Sequence, residues 1–361
     1  MSIPEDRFAR QRSIDGWDQD RLAEATVVLA GVGALGTAVL QSLALAGVGR
    51  LIICDPDTVE LTNLSRTVLF TPADVGRPKA EAAAARLAPL ATGASVVPRH
   101  SDLTSGVGLG ELADADLVIG CLDSIRARMQ LLGRSALVGT NLLDGGTGPW
   151  SGEIRVRSDP AQPCYACSLT VVQRGVADLP RSCAEAQPEG HEPASIATTS
   201  VVAGWLTIAA LRLLLGLPLG YHALRIDALG GTTRRVDFTR DPACPYHDPM
   251  SAVDRVLPVT HRDRVRDLIS ALPAGSDPLA WSEFPVTDVC RRCGLRLPPA
   301  DAARPGVTPC PGCANTVVRR TGIRLAEADE TRRLSDLGVA PQEILPVRDP
   351  DGVTRLLRLA V

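Results

Sequence analysis

The sequence predicts an α/β protein, with a doubly wound sheet that has helices on both faces and a small cysteine-rich β module after it. Two observations predict the sheet. An apolar strand runs into a glycine-rich turn and an apolar helix, and a second apolar strand ends in an aspartate about twenty residues later. The third observation is a pair of C-x-x-C sequences near the C-terminus, joined by a proline-bearing loop, which is typical of a zinc ribbon.

Composition limits the function classes. The chain has 361 residues, of which 45% are hydrophobic, enough for about two domains with real cores. Its formal net charge is −3, which argues against nucleic acid as the main partner. No basic-apolar signal segment opens the chain, and the apolar stretch 201–217 is interrupted by Thr207 and Arg212. We therefore expect a cytoplasmic protein without a membrane span, in which this stretch is a buried helix.

The first strand, turn and helix form the centre of a Rossmann-like nucleotide site. A buried strand is predicted for 25–30 and a helix for 37–46. The turn between them contains Gly31, Gly33 and Gly36. Glycine permits the tight turn and lets backbone N–H groups approach a phosphate at the helix N-terminus. The second predicted strand, 50–54, is followed by Asp55, at the position where a carboxylate accepts hydrogen bonds from ribose hydroxyls. Because NAD and ATP both contain a ribose, the two nucleotides fit equally well at this point.

The polar residues that follow favour ATP. The loop after Asp55 supplies a second carboxylate, an amide and a cation: Asp57, Asn63 and Arg66. Lys79 is the only lysine of the chain, and its compact ammonium suits a triphosphate, the alternative being that it stands there by chance. Asp123 follows a predicted strand, 116–121, and suits either a metal ion or the N-cap of a helix that starts at Ser124.

Ten cysteines in a chain without a signal segment indicate metal ligands or reactive thiols rather than disulfides. Two pairs of candidate ligands, a C-x-x-C and a C-x-x-H, lie eighty residues apart and predict one Cys3His zinc site, the alternative being that the second pair is incidental. The four residues are Cys164, Cys167, Cys244 and His247. The ribbon predicts a second zinc site with four thiolates, for which an iron–sulfur cluster is the alternative: Cys290, Cys293, Cys310 and Cys313. Gly294 and Gly312 fit the turns of the two ribbon knuckles.

Beyond residue 250 the sequence predicts smaller elements. An arginine-rich amphipathic helix is predicted for 253–272, a helical turn for 334–337, and strands for 343–346 and 353–361. The predicted organisation is a nucleotide-binding domain, a segment of linker and helix, and a zinc ribbon with a small β-rich appendage: 1–250, 251–280 and 281–361.

Seven motifs occur in order along the first part of the chain: Arg7-Phe-Ala-Arg10-Gln11, Gly31-Val-Gly-Ala-Leu-Gly36, Asp55-Pro-Asp57, Asn63-Leu-Ser-Arg66, Gly76-Arg-Pro-Lys79, Cys121-Leu-Asp123-Ser124 and Pro163-Cys164-Tyr-Ala-Cys167. With these motifs the chain from about Arg7 to His247 resembles the ubiquitin-activating-like adenylyltransferases, typified by the ThiF and MoeB proteins of thiamine and molybdopterin biosynthesis. The family usually has a second C-x-x-C where this chain has Cys244 and His247.

The resemblance implies roles for individual residues. Asp55 would bind the ribose, Arg66 and Lys79 the phosphates, and Asp123 a magnesium ion. Arg10 would be an arginine finger, which in this family commonly comes from the other subunit of a homodimer; taken alone it is a solvated charge near the N-terminus.

Cys183 stands in a polar loop near Arg181, and a nearby cation favours the reactive thiolate. In the resembled family a cysteine at this place accepts a thioester or persulfide in some members and is dispensable in others. The alternative is an ordinary loop cysteine.

Together these features predict ATP- and Mg²⁺-dependent adenylation of the C-terminal carboxylate of a ubiquitin-like sulfur-carrier protein or a peptide, with release of pyrophosphate. The adenylate would then pass to a sulfur donor, to Cys183 or to an amine, the last as in a peptide-modifying adenylyltransferase of a natural-product pathway. Two alternatives belong to other classes: an NAD-dependent oxidoreductase and a non-catalytic zinc-ribbon adaptor.

Overall fold

The computed structural model describes residues 6–91, 93–175, 195–299 and 306–361. Within these ranges the chain forms two compact units. The first comprises 6–103, 112–175 and 195–249, and the second comprises 104–111 and 250–361.

The elements up to residue 249 are helices and strands that alternate mainly between residues 26 and 147. The helices are α1 (Ala9–Arg12), α2 (Gln19–Glu24), α3 (Ala34–Ala46), α4 (Lys79–Leu87), α5 (Leu103–Gly106), α6 (Leu109–Ala113), α7 (Ile125–Val138), α8 (Val171–Gly175) and α9 (Ile196–Leu214). The strands are β1 (Thr26–Ala30), β2 (Arg50–Cys54), β3 (Ser95–Arg99), β4 (Leu117–Gly120), β5 (Leu142–Thr147), β6 (Ser151–Arg157), β7 (Ala223–Asp227) and β8 (Thr232–Arg235). Short 3-10 helices cover Leu61–Ser65, Pro72–Asp74 and Tyr165–Ser168.

The eight strands form one sheet in the order β3-β2-β1-β4-β5-β6-β7-β8. The pairs from β3 to β5 are parallel, and the pairs from β5 to β8 are antiparallel. The strand order reverses between β1 and β4, because β2 and β3 lie on one side of β1 and β4 and β5 on the other. Ligands of open parallel sheets bind at the carboxyl ends of the strands at such a point. The predicted Rossmann-like doubly wound sheet is confirmed, and an antiparallel extension is added to it.

The sequence places β1 at the centre of this sheet because its residues are apolar on both faces. Val27, Val28 and Leu29 are fully buried, as expected for a parallel strand covered by helices on both sides. The predicted strand–turn–helix unit is confirmed, although the helix begins at Ala34, three residues before the predicted start.

Helix α9 begins after Ser195, whose side chain accepts a hydrogen bond from the Ala197 N–H and is the N-cap. By length and composition this helix would suffice to cross a membrane, with 19 residues and a mean hydropathy of 1.5. It packs against α3, β5 and β6, as a core helix does. The predicted buried helix is confirmed on that face, whereas the opposite face exposes Val201 and Ile208.

The second unit is built mainly from short strands. Its elements are β9 (Arg255–Leu257), α10 (Val265–Ser270), β10 (Asp277–Pro285), β11 (Asp288–Val289), β12 (Arg296–Leu297), β13 (Gly306–Pro309), β14 (Thr316–Arg319), β15 (Thr321–Arg324), β16 (Ile344–Arg348) and β17 (Thr354–Leu359), with 3-10 helices at Leu325–Glu327 and Ser335–Leu337. Five strands form a sheet in the order β15-β10-β16-β17-β9, and two hairpins, β11-β12 and β13-β14, form the ribbon. The predicted strands near the C-terminus and the helical turn before them are confirmed.

The helix predicted for 253–272 was wrong over its first half. Arg255–Leu257 form β9, which pairs in parallel with β17, and only Val265–Ser270 are helical. Leu257 and Val259 are buried on either side of the exposed Pro258, an alternation typical of extended chain, and proline disfavours a helix interior. Residues 251–280, predicted as linker and helix, therefore contribute strands to the second unit, and the ribbon is an insertion between β10 and β15.

Candidate active site and metal centres

The glycine-rich turn after β1 brings three backbone segments into close approach. A methyl group on Gly31, whose φ is +91°, would lie 2.4 Å from the Cys121 carbonyl oxygen. A methyl group on Gly36 would lie 2.0 Å from the Gly31 carbonyl oxygen, so α3 packs directly on the turn. Gly33 is the N-cap of α3, and a methyl group there would meet no atom within 4 Å. Gly33 thus leaves open space where a phosphate would receive backbone N–H groups.

This difference between glycines is testable. We expect Gly36→Ala to lower the free energy of unfolding by about 1–3 kcal/mol through overpacking. Gly33→Ala should cost less than about 1 kcal/mol, yet weaken ATP binding by about tenfold or more if a phosphate approaches this backbone. Thermal unfolding and calorimetric ATP titration of both variants measure the two effects. Unchanged ATP affinity in Gly33→Ala would remove this glycine from the phosphate site.

Asp55 joins the glycine-rich turn to the loop after β2. Its two carboxylate oxygens accept hydrogen bonds from the backbone N–H groups of Val32, at 2.6 Å, and Asp57, at 2.9 Å. Burial raises the pKa of Asp55, whereas the Lys79 charge and these two donors lower it. Asp55 fixes the shape of the turn, and its contact with a ribose stays a prediction.

Lys79 is the first residue of α4, and its ammonium contacts Asp57. The Nζ–Oδ2 distance is 2.7 Å, and the lysine side chain is 13% exposed against 62% for the aspartate. The backbone brings them together, because the Lys79 N–H donates to the Asp57 carbonyl at 2.9 Å and Thr58 forms a bridge with Pro78. An incoming triphosphate would therefore compete with Asp57 for the Lys79 charge.

Asn63 and Arg66 lie in and directly after the 3-10 helix Leu61–Ser65. The buried Asn63 accepts a hydrogen bond from the Glu60 N–H through Oδ1, at 3.1 Å, and so caps this helix. The half-buried Arg66 donates to the Thr62 carbonyl at 2.9 Å. In the described part of the chain neither side chain bonds to Asp57 or Lys79, and their roles toward a nucleotide stay predictions.

Asp74 anchors the loop that leads into Lys79. It is fully buried and accepts hydrogen bonds from the backbone and hydroxyl of Thr71, from Arg77 and from Arg86. Although burial alone would raise the pKa of Asp74, the bonds from Thr71 and Arg86 outweigh it and lower the pKa to about 2. The Asp74 carboxylate is therefore charged at neutral pH and holds the loop in place.

Asp123 is exposed at the carboxyl end of β4. The N-cap of α7 is Ser124, whose hydroxyl accepts a hydrogen bond from the Ala127 N–H at 3.2 Å. The alternative that Asp123 caps this helix was wrong, because the helix begins one residue later than that role requires. Its carboxylate stands beside the point where the strand order reverses, and its role as a metal ligand stays a prediction.

A buried ion pair behind this loop was missed by the sequence analysis. Arg128 donates to the Asp144 carboxylate and to the Leu122 carbonyl, so it ties the loop that carries Asp123 to β5. Burial raises the pKa of Asp144, and Arg128 opposes that shift. The available signal was an aspartate inside an apolar strand, but only the packing of α7 against β5 shows which arginine pairs with it.

The C-x-x-C and C-x-x-H ligand pairs of the first unit come together in one cluster. Four ligand atoms lie within 4.8 Å of one another, from Cys164, Cys167, Cys244 and His247. The Cys164 Sγ is 3.7 Å from the Sγ atoms of Cys167 and Cys244, and the Cys167 Sγ is 3.1 Å from His247 Nε2. A tetrahedral zinc site with Zn–S bonds of about 2.3 Å has S–S edges of about 3.8 Å, so the cluster fits zinc.

The surroundings of this cluster also suit a cation. His247 Nδ1 lies 2.8 Å from the Pro160 carbonyl oxygen, which places the ring proton on Nδ1 and leaves Nε2 free to ligate. Burial and the neighbouring thiols raise the pKa of Cys164 to about 12, so a bound cation would be needed to hold it as a thiolate at neutral pH.

The sulfur–sulfur distances in the ribbon cluster are similar to those in the first cluster. Four thiols lie within 4.8 Å of one another, those of Cys290, Cys293, Cys310 and Cys313. The Cys290–Cys313 and Cys293–Cys310 Sγ distances are both 3.6 Å. Gly294 has a φ of +73° in the first knuckle, as predicted, but in the second knuckle the left-handed residue is Ala314, with a φ of +56°. Gly312 instead packs closely, since a methyl group on it would lie 3.2 Å from the Leu295 Cδ2.

Comparison with known proteins decides the family. The model of the ThiF family matches residues 7–246. The chain belongs to the ThiF family. It is 37% identical over 250 residues to a sulfur carrier protein adenylyltransferase of Thermus thermophilus, covering 66% of this chain and 89% of the relative. It is 30% identical over 244 residues to the molybdopterin-synthase adenylyltransferase of Escherichia coli, covering 66% and 94%.

A solved structure agrees on the ThiF-family fold. The crystal structure of Escherichia coli MccB with ATP superposes with a TM-score of 0.57 at 20% identity, covering 68% of this chain and 74% of that one. At that identity the likeness concerns the fold alone. The predicted family and the predicted enzyme class, an adenylyltransferase, are confirmed by the named relatives. The oxidoreductase and adaptor alternatives find no support in these names.

Two residues given roles by the ThiF-family resemblance, Arg10 and Cys183, keep these roles as predictions. Arg10 is exposed in the short helix α1 and forms no hydrogen bond or ion pair with the described residues. Cys183 lies outside the described residues. The ThiF match ends at residue 246, so the ribbon and the sheet around it lie beyond it.

Proposed function

We propose that this ThiF-family chain uses ATP to adenylate the C-terminal carboxylate of a ubiquitin-like sulfur-carrier protein or a peptide. The observation that carries the proposal is the pair of charges at the carboxyl edge of the parallel strands. Lys79 is held against a largely exposed Asp57, and Asp123 is exposed three residues after the end of β4. One cation and one free carboxylate, next to an open helix N-terminus, are what a triphosphate and its metal ion require.

The chemistry needs charge stabilisation rather than proton transfer. The attacking carboxylate is already ionised at neutral pH, so it can add to the α-phosphate without a general base. Bonding of a carboxylate oxygen to the α-phosphorus and departure of pyrophosphate leave an acyl-adenylate. Lys79, Arg66 and Arg10 would neutralise the phosphate oxygens, while the N–H groups near Gly33 would orient them.

Metal ions complete the proposal. Asp123 would hold Mg²⁺, which when bound offsets phosphate charge. Zn²⁺ would occupy both clusters in structural roles, since each already supplies four ligands and leaves no open position. Thiolate ligands and ATP both suit the cytoplasm.

The proposed substrate is tested by pyrophosphate release from ATP and Mg²⁺ with small carrier proteins that end in Gly-Gly. We expect release with one carrier and none with the same carrier lacking its last glycine. Release with a short peptide only would assign the peptide alternative. Measurable ATP binding without release, with carriers and peptides alike, would contradict adenylation and favour the adaptor. Transfer through Cys183 is tested by the rate of final product formation, because pyrophosphate leaves before that step. A Cys183→Ser variant that makes final product at the normal rate would exclude covalent transfer through Cys183.

We also propose that the protein is a homodimer. Helix α9 exposes a stripe of small and apolar side chains without a charged residue, at Ala197, Val201, Gly204 and Ile208. Val201 is 46% exposed and Ile208 49%. The four residues are spaced by four, three and four, so they lie on one face of the helix that a second copy of this chain would cover. The dimer would allow Arg10 of one copy to reach the site of the other.

A further inference from the structure

Arg157, the last residue of β6, is a buried cation that has no partner among the residues that the structure describes. Arg157 is 4% exposed, and its Nε and Nη2 atoms are buried and have no hydrogen-bond partner among the described residues. It forms no ion pair with any residue that the structure describes. A buried charge without compensation is among the most costly features a fold can contain. A counter-charge is therefore expected in the functional state.

The other charges on the same face of β6 are already matched. Side chains alternate along a strand, so Glu153, Arg155 and Arg157 face the same side. Arg155 pairs with Glu153 and stacks on Tyr165 and Phe238, 4.9 and 4.3 Å from the ring centres. The same glutamate also receives Arg225 at 3.3 Å. The charge of Glu153 is thus shared by two arginines, and Arg157 does not pair with it.

Metal-site thiols are among the acidic groups around Arg157. Arg157 lines one cavity together with Cys164 and Asp144, and the Asp144 carboxylate already pairs with Arg128. Burial lowers the pKa of Arg157, and the groups whose negative charge would oppose this shift are Cys164, Asp159 and Cys244. Asp159 is exposed, and its Oδ1 accepts a hydrogen bond from the Ala161 N–H at 2.7 Å. As neutral thiols the two cysteines offer no compensation. As metal-bound thiolates they would.

The charge count of the first cluster matches one arginine. A divalent ion with three thiolates and one neutral imidazole carries a net charge of −1, and His247 would supply that imidazole by ligating through Nε2 while its Nδ1–H donates to the Pro160 carbonyl. We propose that Arg157 is the counter-charge of this metal centre, so that the centre and Arg157 form a neutral buried unit. The inference rests on zinc binding by this cluster, as proposed above. It assigns to Arg157 an outer-shell role that strengthens metal binding.

The proposal predicts opposite effects of one substitution on the two metal states. In full-length protein, Arg157→Met should lower the zinc affinity of the Cys164 cluster by about 10- to 100-fold, the usual loss when an outer-shell partner is removed. The metal-free variant should melt at a higher temperature than the metal-free wild type, because an uncompensated buried charge has been removed. A merely structural arginine would instead lower both melting temperatures together.

Zinc affinities are measured by competition with a chromophoric chelator, and Co²⁺ substitution assigns each site, since thiolate charge-transfer intensity rises with the number of thiolates. The ribbon zinc is an internal control whose affinity should not change. Arg155→Met is the matched control: it removes an arginine from the same face of β6 that is already paired, and should destabilise the metal-free and metal-loaded forms alike. Arg157→Lys, which keeps the charge, should keep affinity close to that of the wild type and serves if the methionine variant does not fold.

Two results would overturn the proposal. If zinc binds the Cys164 cluster and Arg157→Met matches the wild type in zinc affinity and in metal-free stability, Arg157 is not the counter-charge. The same follows if Arg157→Lys, which keeps the charge, loses 10-fold or more in zinc affinity. If the wild-type cluster binds no zinc, the proposed metal centre fails with it. Neither result bears on adenylation, which the pyrophosphate assay tests separately.

Discussion

Lys79→Ala should reduce pyrophosphate release by about 10²–10³-fold, the usual effect of removing one charge that stabilises a transition state. Lys79 is the only lysine of the chain, it is only 13% exposed, and it begins the helix that borders the nucleotide turn. Its ion pair with Asp57 is open to solvent on one side, so its loss should cost less than about 1 kcal/mol of stability. Activity and stability are therefore expected to separate.

Steady-state pyrophosphate release and thermal unfolding of the same preparations make this comparison. Glu81→Ala is a matched control, because Glu81 is exposed in the first turn of the same helix. It should leave both quantities near the wild-type values. A Lys79→Ala variant with normal turnover would show that Lys79 does not contact the triphosphate, and the pairing with Asp57 would then be its whole role.

The same variant tests where Arg10 acts. In a symmetric dimer whose sites take Arg10 from the partner, random mixing of Lys79→Ala and Arg10→Ala subunits regenerates intact sites at about a quarter of all positions. Both variants would be inactive alone, and the refolded mixture would recover activity. No recovery in a mixture shown to contain heterodimers would mean that Arg10 and Lys79 serve the same site from one chain, or that Arg10 has no catalytic role.

Much of the nucleotide region could be predicted from the sequence because its signals are local. A strand, a glycine turn and a helix are contiguous, and an aspartate that ends an apolar strand must lie at the edge of a sheet. The motifs around Gly31, Asp55 and Lys79 therefore predict one nucleotide site at the carboxyl edge of the sheet. The ribbon could be predicted for the same reason, because each of its two knuckles is a C-x-x-C sequence of four contiguous residues.

The features that escaped prediction depend on pairing between distant residues. Arg128 pairs with Asp144 only because α7 packs against β5. Arg157 shares a cavity with Cys164, which follows it by seven residues, only because of how the chain folds back after β6. The pairing of Asp57 with Lys79 depends on the backbone bridge between Thr58 and Pro78, which are neighbours of these two residues in sequence. The strand at 255–257 was hidden by an arginine-rich sequence that suits a helix surface equally well. Such register information is absent from single-sequence periodicity.

Removing zinc should unfold the ribbon while the sheet around it persists. The ribbon core consists of four buried residues, two of which are ligands: Cys290, Leu297, Cys310 and Val317. Hairpins as short as β11-β12 and β13-β14 bury too little apolar surface to fold alone. Metal binding to such a structural site supplies about 10–16 kcal/mol, so the metal-free ribbon lacks most of its stabilisation.

Hydrogen exchange read by mass spectrometry would measure this directly. Peptides from Asp288 to Leu297 and from Gly306 to Arg319 should lose their protection when a chelator is added, and in a Cys310→Ser variant without chelator. Peptides from β16 and β17 are the control, because their strands belong to a larger apolar core that includes Leu345, Val347 and Leu357. Protected ribbon amides in metal-free protein would show that the ribbon is held by contacts other than the metal. Loss of protection in β16 and β17 as well would show that the sheet, too, depends on the ribbon metal, because the ribbon is inserted between two of its neighbouring strands.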